Sequence, residues 1–214
     1  MLWGLIDGNY NINVLNLRLL ANWGKTIIMD YLGYHIVLTT HNSRTSRRMI
    51  KYNVYRGPAR VLCLEEEILL TKMIGDIINE NGYRCTAYNI CGDHVHMIIV
   101  CQEGALSKIV QKIKSVSSKL FHRHSEVSAE LTALHNNRLW SQKFFRAQLD
   151  EWQIAKFSKR PGEIYQSSYL ANAMFYIKNN RAKHQLKSSV LLEAHINDFI
   201  MSEDKAYGIV FNGS

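Results

Sequence analysis

Proline, cysteine and acidic side chains are scarce in this chain of 214 residues, which holds two prolines, four cysteines and 18 aspartates and glutamates. The cysteines form no CxxC pair, so neither a zinc ribbon nor a disulfide framework is expected, and the thiols are predicted to be reduced. No window approaches the run of about 18 apolar residues that a membrane span requires. The polar stretch "NYNINVLN" interrupts any secretory leader. These absences exclude a membrane protein and favour a cytosolic globular one.

Basic residues, in contrast, are abundant. Lysine and arginine number 26, which gives a formal net charge of +8 and an isoelectric point near 9.3. Surfaces that meet phosphate often carry such an excess, although charge alone does not identify nucleic acid as the partner. The length suits one main domain with appendages. We predict an N-terminal extension at residues 1–30, the functional domain at 31–187 and a tail with one helix at 188–214.

Strand-like and helix-like segments alternate along the main domain. β-branched runs bounded by turn residues indicate strands, and apolar residues three and four apart indicate helices. In chain order we predict strand 34–40, a basic loop, helix 61–80, a hairpin of strands 83–91 and 94–101 around Gly92-Asp93, helix 105–124, strands within 138–150 and 151–157, and a helix after Pro161-Gly162. This βαββαβ order predicts an α+β fold, a ferredoxin-like antiparallel sheet backed by two helices, with one additional C-terminal helix.

Two histidines stand one residue apart in the strand segment "GDHVHMIIV". Because side chains alternate along a strand, His94 and His96 point to the same side, roughly 7 Å apart along the strand. Imidazoles at that spacing can bind one metal ion, although a satisfied polar pair at the start of a strand is an equally ordinary interpretation. A third ligand is needed to decide between the two.

Tyr176 and Asn180 supply a candidate for that third ligand in "FYIKNN". Residues four apart share one face of a helix, so an amide oxygen could join a metal site while a phenol lies one turn earlier. The alternative is a core tyrosine and an asparagine at the end of a helix. Tyr169 lies seven residues before Tyr176 and Tyr165 lies four residues earlier still, and both compete for any role of the phenol.

Four segments together resemble the single-tyrosine HUH transposases, the IS200-like enzymes and their relatives associated with repetitive extragenic palindromes. "YHIVLTT" resembles the opening strand motif of the family, and "GDHVHMIIV" matches its strand with two histidines around a hydrophobic residue. "LWSQKFF" resembles the segment before the last strand, and "YIKNN" matches the helix in which glutamine or asparagine follows a tyrosine four residues later. The resemblance spans residues 31–184 in the family's order and spacing.

The resemblance implies a ferredoxin-like sheet and assigns roles to four residues. His94, His96 and Asn180 would bind Mg²⁺ or Mn²⁺, and Tyr176, on the additional C-terminal helix, would be the nucleophile. The implied enzyme is a transposase that nicks and rejoins single-stranded DNA at hairpin-marked ends through a 5′-phosphotyrosine. A homodimer and a cytoplasmic, nucleoid-associated location in a prokaryote are also implied. Whether the tyrosine helix acts in its own subunit or in that of a partner stays open.

Basic side chains outside the proposed metal site are candidates for contacts with DNA phosphates. They are Arg44, Arg47, Arg48, Lys108, Lys112 and Lys114. Arg138, Trp140 and Arg146 are candidates for stacking on DNA bases, against core or surface roles. Two other functions remain open, namely a domesticated protein that only binds DNA hairpins and a metal-dependent phosphoesterase that uses water instead of a tyrosine.

Overall fold

A four-stranded antiparallel sheet lies at the centre of the computed structural model, which describes residues 31–45, 47–55, 57–124, 138–149, 169–202 and 205–206. Its strands are β1 (Tyr31–Thr39), β2 (Arg84–Cys91), β3 (His94–Gln102) and β4 (Phe145–Gln148). The helices in these residues are α1 (Arg47–Lys51), α2 (Leu64–Glu80), α3 (Leu106–Arg123), α4 (Tyr169–Lys178), α5 (Asn180–Lys183) and α6 (Val190–Asn197). The strand order β2-β3-β1-β4 is that of a ferredoxin-like sheet. The predicted α+β class is therefore confirmed.

The register of the strands divides their side chains between two faces. Val37 in β1 lies opposite His96 in β3, and directly opposite residues of antiparallel strands point to the same side. Since side chains alternate along each strand, His35, His94 and His96 share that side. We call it the imidazole face. The other side, which carries Met97, is called the core face.

Helices α2 and α3 cover the core face because each has a row of apolar residues at helical spacing. The buried side chains of these rows are Leu70, Ile74, Ile77 and Ile78 in α2 and Leu106, Ile109, Val110 and Ile113 in α3. Burial of one such side chain contributes about 1.5–3 kcal/mol. The described helices include none that is long and apolar enough to cross a membrane.

The start of α2 shows why the helix predicted over 61–80 begins three residues later. The Glu66 carboxylate accepts a hydrogen bond from the Cys63 backbone N–H at 3.2 Å, which is the return bond of a capping box. Glutamates at positions 65 to 67 stabilise the positive end of the helix dipole. Cys63 itself is exposed, whereas Cys85, Cys91 and Cys101 are buried, and all four are free thiols, as predicted.

The hairpin between β2 and β3 turns at Gly92-Asp93, as predicted. Gly92 has a φ of +51°, a left-handed conformation that glycine adopts without steric cost. The turn positions Cys91 directly opposite His94 in the register. The first histidine of the pair therefore lies at the very end of the hairpin.

Two segments differ from the predicted pattern. The basic loop after β1 contains the short helix α1, and the single helix predicted after Pro161 is interrupted, because α4 ends at Lys178 and α5 begins at Asn180. Asn179, between them, has φ −90° and ψ 4°. The strand predicted within 151–157 lies outside the described residues.

Helix α6 lies in the segment predicted to be a tail and packs on α2. Leu192 and Phe199 are buried in the same core as the α2 row. The absence of a side chain at Gly75 permits this packing, because a Cβ there would lie 2.5 Å from the Phe199 ring. The segment thus covers hydrophobic surface of the domain. The boundary at 187/188 stays a prediction.

Candidate active site

The two histidines of β3 lie side by side on the imidazole face. Their ring centroids are 4.9 Å apart, and His94 and His96 are only 4% and 6% exposed. β1 and β2 flank β3, and α4 packs over this side of the sheet through Ile177, which contacts Ala87 and Ile98. The pair is thus held between a central strand and a helix, where few water molecules compete for the imidazole nitrogens.

A hydrogen-bond partner occupies the Nδ1 atom of each imidazole. Asp93 Oδ1 lies 2.6 Å from His94 Nδ1, and His35 Nε2 lies 2.9 Å from His96 Nδ1. When each Nδ1 carries the proton and donates it to its partner, the Nε2 lone pair of each ring is free. Partners of this kind orient the histidine ligands of metal sites. The arrangement prepares two nitrogen donors on one face.

Burial keeps the central imidazole neutral. The pKa of His96 is lowered to about 3, chiefly by burial and then by the charges of neighbouring imidazoles and of Arg44. Burial also lowers the pKa of His35. At neutral pH both rings are uncharged, as a metal ligand and its partner must be.

Asp93 remains a carboxylate beside His94. Burial by itself would raise the pKa of Asp93, but the hydrogen bond with His94 and the nearby Arg44 guanidinium outweigh it and lower the pKa. Arg44 Nη1 lies 3.4 Å from Asp93 Oδ2, and Arg44 Nη2 lies 3.4 Å from His94 Nδ1. A guanidinium therefore borders the imidazole pair on the hairpin side.

Tyr176 on α4 is brought to the histidines, as the sequence interpretation requires. Its ring centroid is 5.4 Å from that of His96 and 6.3 Å from that of His35, with both contacts edge-on. The side chain is 39% exposed, so the phenol is accessible from solvent. Lys183 Nζ lies 5.0 Å from the ring centroid, within the range of a cation–π contact.

Asn180 is less directly engaged with the pair. Its side chain is fully buried, its Oδ1 lies 3.5 Å from Cys91 Sγ, and its Nδ2 has no hydrogen-bond partner among the described residues. Because Cys91 stands opposite His94 across the hairpin, the amide lies one strand away from the first histidine. A buried amide with an unpaired nitrogen and only a long contact to its oxygen is costly. The unpaired atom is the nitrogen, so a cation would bind Asn180 through Oδ1.

Arg181 fastens α5 to the sheet beside this amide. Its Nη1 donates to Glu67 Oε2 at 2.7 Å and to the Ile90 carbonyl at 2.8 Å. The Glu67 carboxylate also accepts a hydrogen bond from the Gly92 backbone N–H. One buried ion pair therefore connects α2, the hairpin turn and the helix that carries Asn180.

The site includes two histidines that the sequence interpretation missed. His35 lies in the quoted opening strand and stands opposite Ile98, so only the pairing of β1 with β3 brings it to the imidazole pair. The His184 ring centroid is 5.2 Å from that of His94. Tyr176, Asn180 and His184 follow each other at four-residue spacing, a helical row that the sequence already contained.

The residues present fit a divalent cation that keeps open positions. Among the described residues no group of three or more His, Cys, Asp or Glu side chains could hold an ion by itself. The imidazoles of His94 and His96 and the amide of Asn180 are the available donors. Such an incomplete donor set suits an ion that also binds waters and substrate phosphate oxygens. It does not suit a closed structural zinc site.

The eight basic residues predicted to contact DNA are divided between the two sides of the sheet. Arg44 reaches the imidazoles, and Arg47 is exposed on α1. The α3 lysines lie on the helix over the core face, where Lys114 donates to the carbonyls of Ser141 and Gln142. Arg44 and the lysines of α3 therefore lie on opposite sides of the sheet.

The remaining candidates of this set are Lys108 and Lys112, exposed on α3; Arg138, exposed; Arg146, exposed on β4; and Arg48, in α1, whose side chain lies outside the described residues. Arg146 stands opposite Ile36 in the register and so lies on the core face.

Trp140 is buried in the core, and its indole N–H donates to Ser117 Oγ at 3.0 Å. Of the competing tyrosines, Tyr165 lies outside the described residues and Tyr169 begins α4.

A family model described as "Transposase IS200 like" matches residues 29–159. No curated protein sequence matches the chain. Among solved structures, a proposed transposase from Deinococcus radiodurans R1 has a TM-score of 0.45 and 19% identity, covering 62% of this chain and 90% of that one. A REP-associated tyrosine transposase bound to a REP hairpin has a TM-score of 0.39 and 15% identity, covering 72% and 68%. The matched residues include the imidazole pair and end before Tyr176.

Proposed function

The chain belongs to the family of IS200-like transposases, enzymes that act on DNA, and we propose that it nicks and rejoins single-stranded DNA through a covalent bond to Tyr176. The observation that carries the proposal is the packing of the Tyr176 phenol against His96, with ring centroids 5.4 Å apart. These residues lie 80 positions apart in the sequence. A phenol beside two oriented imidazoles is the constellation that a tyrosine nucleophile with a metal-bound phosphate needs.

The proposed reaction is a transesterification. The Tyr176 oxygen attacks the phosphorus, a bond from tyrosine to the 5′ phosphate forms, and the bond to the 3′ oxygen breaks. The 3′ oxygen leaves with a proton as a 3′-OH, and the phenol proton is lost to solvent or a neighbouring base. The energy of the phosphodiester is retained, so a 3′-OH can later attack the phosphotyrosine and join two strands. Arg44 is positioned to bind a phosphate next to the attacked one.

We assign His94, His96 and Asn180 as the residues that would hold Mg²⁺ or Mn²⁺. When bound, the cation would act as a Lewis acid on the scissile phosphate and stabilise the charge that develops there. Asp93 and His35 keep the two imidazoles in the orientation and tautomer that bind metal. A DNA hairpin beside the cleaved bond, a homodimer and the functional domain at 31–187 belong to the same proposal.

A labelled-DNA experiment tests the covalent step. The protein is incubated with Mn²⁺ or Mg²⁺ and a pool of single-stranded oligonucleotides that each carry a hairpin, labelled at either the 5′ or the 3′ end. We expect an adduct on a denaturing gel that retains the 3′ label only, because the tyrosine is joined to the 5′ phosphate of the downstream fragment. Mass spectrometry of the digested adduct should identify the peptide that contains Tyr176.

The alternatives give different results in the same experiment. Tight hairpin binding with no adduct under any metal condition would support a domesticated DNA-binding protein. Cleavage with both labels released from the protein would support a phosphoesterase that uses water. An adduct that retains the 5′ label would contradict the proposed polarity of the reaction.

Replacing His35 tests whether it orients His96. We expect His35→Phe to lower Mn²⁺ affinity by about 10- to 100-fold, the usual cost of removing the partner of a metal-ligating histidine. His35→Gln should recover part of the loss, because the amide oxygen can accept the His96 Nδ1 proton. Electron paramagnetic resonance of free and bound Mn²⁺ measures the affinity directly.

His195 provides the matched control for this prediction. It is a half-buried histidine on α6, which packs on the α2 side of the sheet. His195→Phe should leave Mn²⁺ affinity unchanged. Equal affinities for the wild type and His35→Phe would remove His35 from the site.

A further inference from the structure

An exposed phenylalanine on the edge strand β4 borders the candidate site beside His35. Phe145 is the first residue of β4, and 59% of its surface is exposed. It stands opposite Val37 in the register, so its side chain lies on the imidazole face. Its ring centroid is 6.4 Å from that of His35, in an edge-on contact. Phe145 thus presents a large apolar ring to solvent and contacts His35, which in turn contacts Tyr176.

A series of side-chain contacts connects Arg44 to Phe145 through three imidazoles. Arg44 contacts His94, the ring centroids of His94 and His96 and of His96 and His35 are 4.9 and 5.1 Å apart, and His35 contacts Phe145. Tyr176 contacts both His96 and His35. A chain of alternating phosphates and bases bound at these imidazoles would have a guanidinium beside His94 and an aromatic ring beside His35.

We infer that Phe145 is a base-stacking residue that binds the nucleobase flanking the phosphate attacked by Tyr176. The inference rests on the proposed function and adds a contact that positions the strand. Stacking on an aromatic side chain tolerates every base, because each base has a π face. Phe145 would therefore fix the position of the backbone without selecting a sequence. A neutral ring also suits the base, whereas the charge of Arg44 suits the phosphate.

A second exposed phenylalanine supplies a matched control. Phe175 lies on α4 directly before Tyr176 and is 71% exposed. Two residues later, Ile177 is buried against the sheet. Because successive helical residues are rotated by about 100°, Phe175 points almost directly away from the sheet. Either substitution removes a mostly exposed aromatic ring, but only Phe145 faces the candidate site.

Binding measurements in the Tyr176→Phe background test the inference without cleavage. We expect Phe145→Ala to weaken the binding of single-stranded DNA by about 5- to 100-fold, the range for loss of one stacked base. Phe145→Trp should restore binding, and Phe175→Ala should leave it unchanged. Thermal unfolding of each variant serves as a folding control, since an exposed side chain on a sheet edge contributes little to the core.

Abasic substitutions then locate the stacked base. An oligonucleotide series that lacks one base at a time on either side of the cleaved bond should contain one position whose loss weakens wild-type binding. The same substitution should have no further effect on Phe145→Ala, because ring and base form one interaction. Equal binding by Phe145→Ala and Phe175→Ala, or abasic effects that add to Phe145→Ala at every position, would overturn the inference.

The outcomes also separate this inference from the proposed function. Wild-type protein that forms no adduct, yet loses DNA affinity in Phe145→Ala, would overturn the covalent mechanism and keep the stacking contact. Adduct formation and DNA binding that are both unaffected by Phe145→Ala would overturn the stacking contact alone. A shift of Phe145→Ala from dimer to monomer with unchanged DNA binding would assign the ring to a second copy of the chain, which also overturns the inference.

Discussion

Replacing Tyr176 by phenylalanine is expected to abolish the protein–DNA adduct and to reduce strand cleavage by on the order of 10⁴- to 10⁶-fold, the range found when an enzyme loses its nucleophile. Only the hydroxyl is removed, so the ring contacts with His96 and His35 and the packing of α4 are preserved. DNA affinity and thermal stability should therefore remain close to those of the wild type. The separation of binding from chemistry is the expected signature of a nucleophile.

An exposed tyrosine outside the site is the control for this substitution. Tyr52 lies directly after α1 and has a phenol open to solvent, so Tyr52→Phe should leave adduct formation unchanged. Cleavage that persists in Tyr176→Phe with no adduct would mean that water attacks the phosphate. An adduct that persists would transfer the nucleophile to another tyrosine, and Tyr169→Phe would be the next variant to compare.

Breaking the ion pair between Arg181 and Glu67 is expected to produce the largest loss of stability. The two side chains are 13% and 4% exposed, with a 2.7 Å contact between Nη1 and Oε2. Removing one partner of a buried pair leaves an uncompensated charge and costs about 3–5 kcal/mol. We expect Arg181→Met to lower the free energy of unfolding in urea by this amount. Since α5 carries Asn180, Mn²⁺ affinity should fall as well.

Two further variants show whether the loss of stability in Arg181→Met comes from the buried charge. Arg181→Met combined with Glu67→Gln removes both charges. It should recover part of the loss of stability, because no carboxylate is left buried without a partner. The ion pair of Lys72 and Asp76 is the exposed counterpart, with side chains 56% and 52% accessible. Lys72→Ala should change the free energy of unfolding by no more than about 0.5 kcal/mol. If Arg181→Met proves equally mild, the pair does not hold α5 in place.

The sheet order and most boundaries could be predicted from local patterns. The spacing of apolar residues in α2 and α3 and the Gly92-Asp93 turn are each properties of a few consecutive residues, and the structure has them within a few positions. Local patterns gave no warning of the break at Asn179 or of helix α1. Both are short features that depend on what the segment packs against, and intrinsic propensity is a weak guide there.

The residues of the candidate site also divide into those that local motifs predict and those that only the structure reveals. His94, His96, Tyr176 and Asn180 were found from two short motifs, because each pair is local and has a characteristic spacing. His35 and Phe145 were not, because each is a single residue whose significance arises only from its neighbours in space. His184 was also missed, although it lies four residues after Asn180. The basic residues show a related limit, because charge in the sequence does not reveal what a side chain contacts. Lys114 reads as a DNA contact in the sequence, but its ammonium group is engaged by two backbone carbonyls.

The sequence by itself determined the family, the order of strands and helices, and the two chemical motifs, because alternation along a strand and spacing along a helix are properties of neighbouring residues. Only the tertiary structure decided that the phenol lies against the second histidine, that His35 and Asp93 hold the imidazoles in orientation, and that Arg181 fastens the amide helix to the sheet. The contacts of His35 with His96, of Tyr176 with His96 and of Arg181 with Glu67 join residues that are 61 to 114 positions apart in the sequence. Contacts of that range follow from strand register and helix packing, which no local pattern encodes.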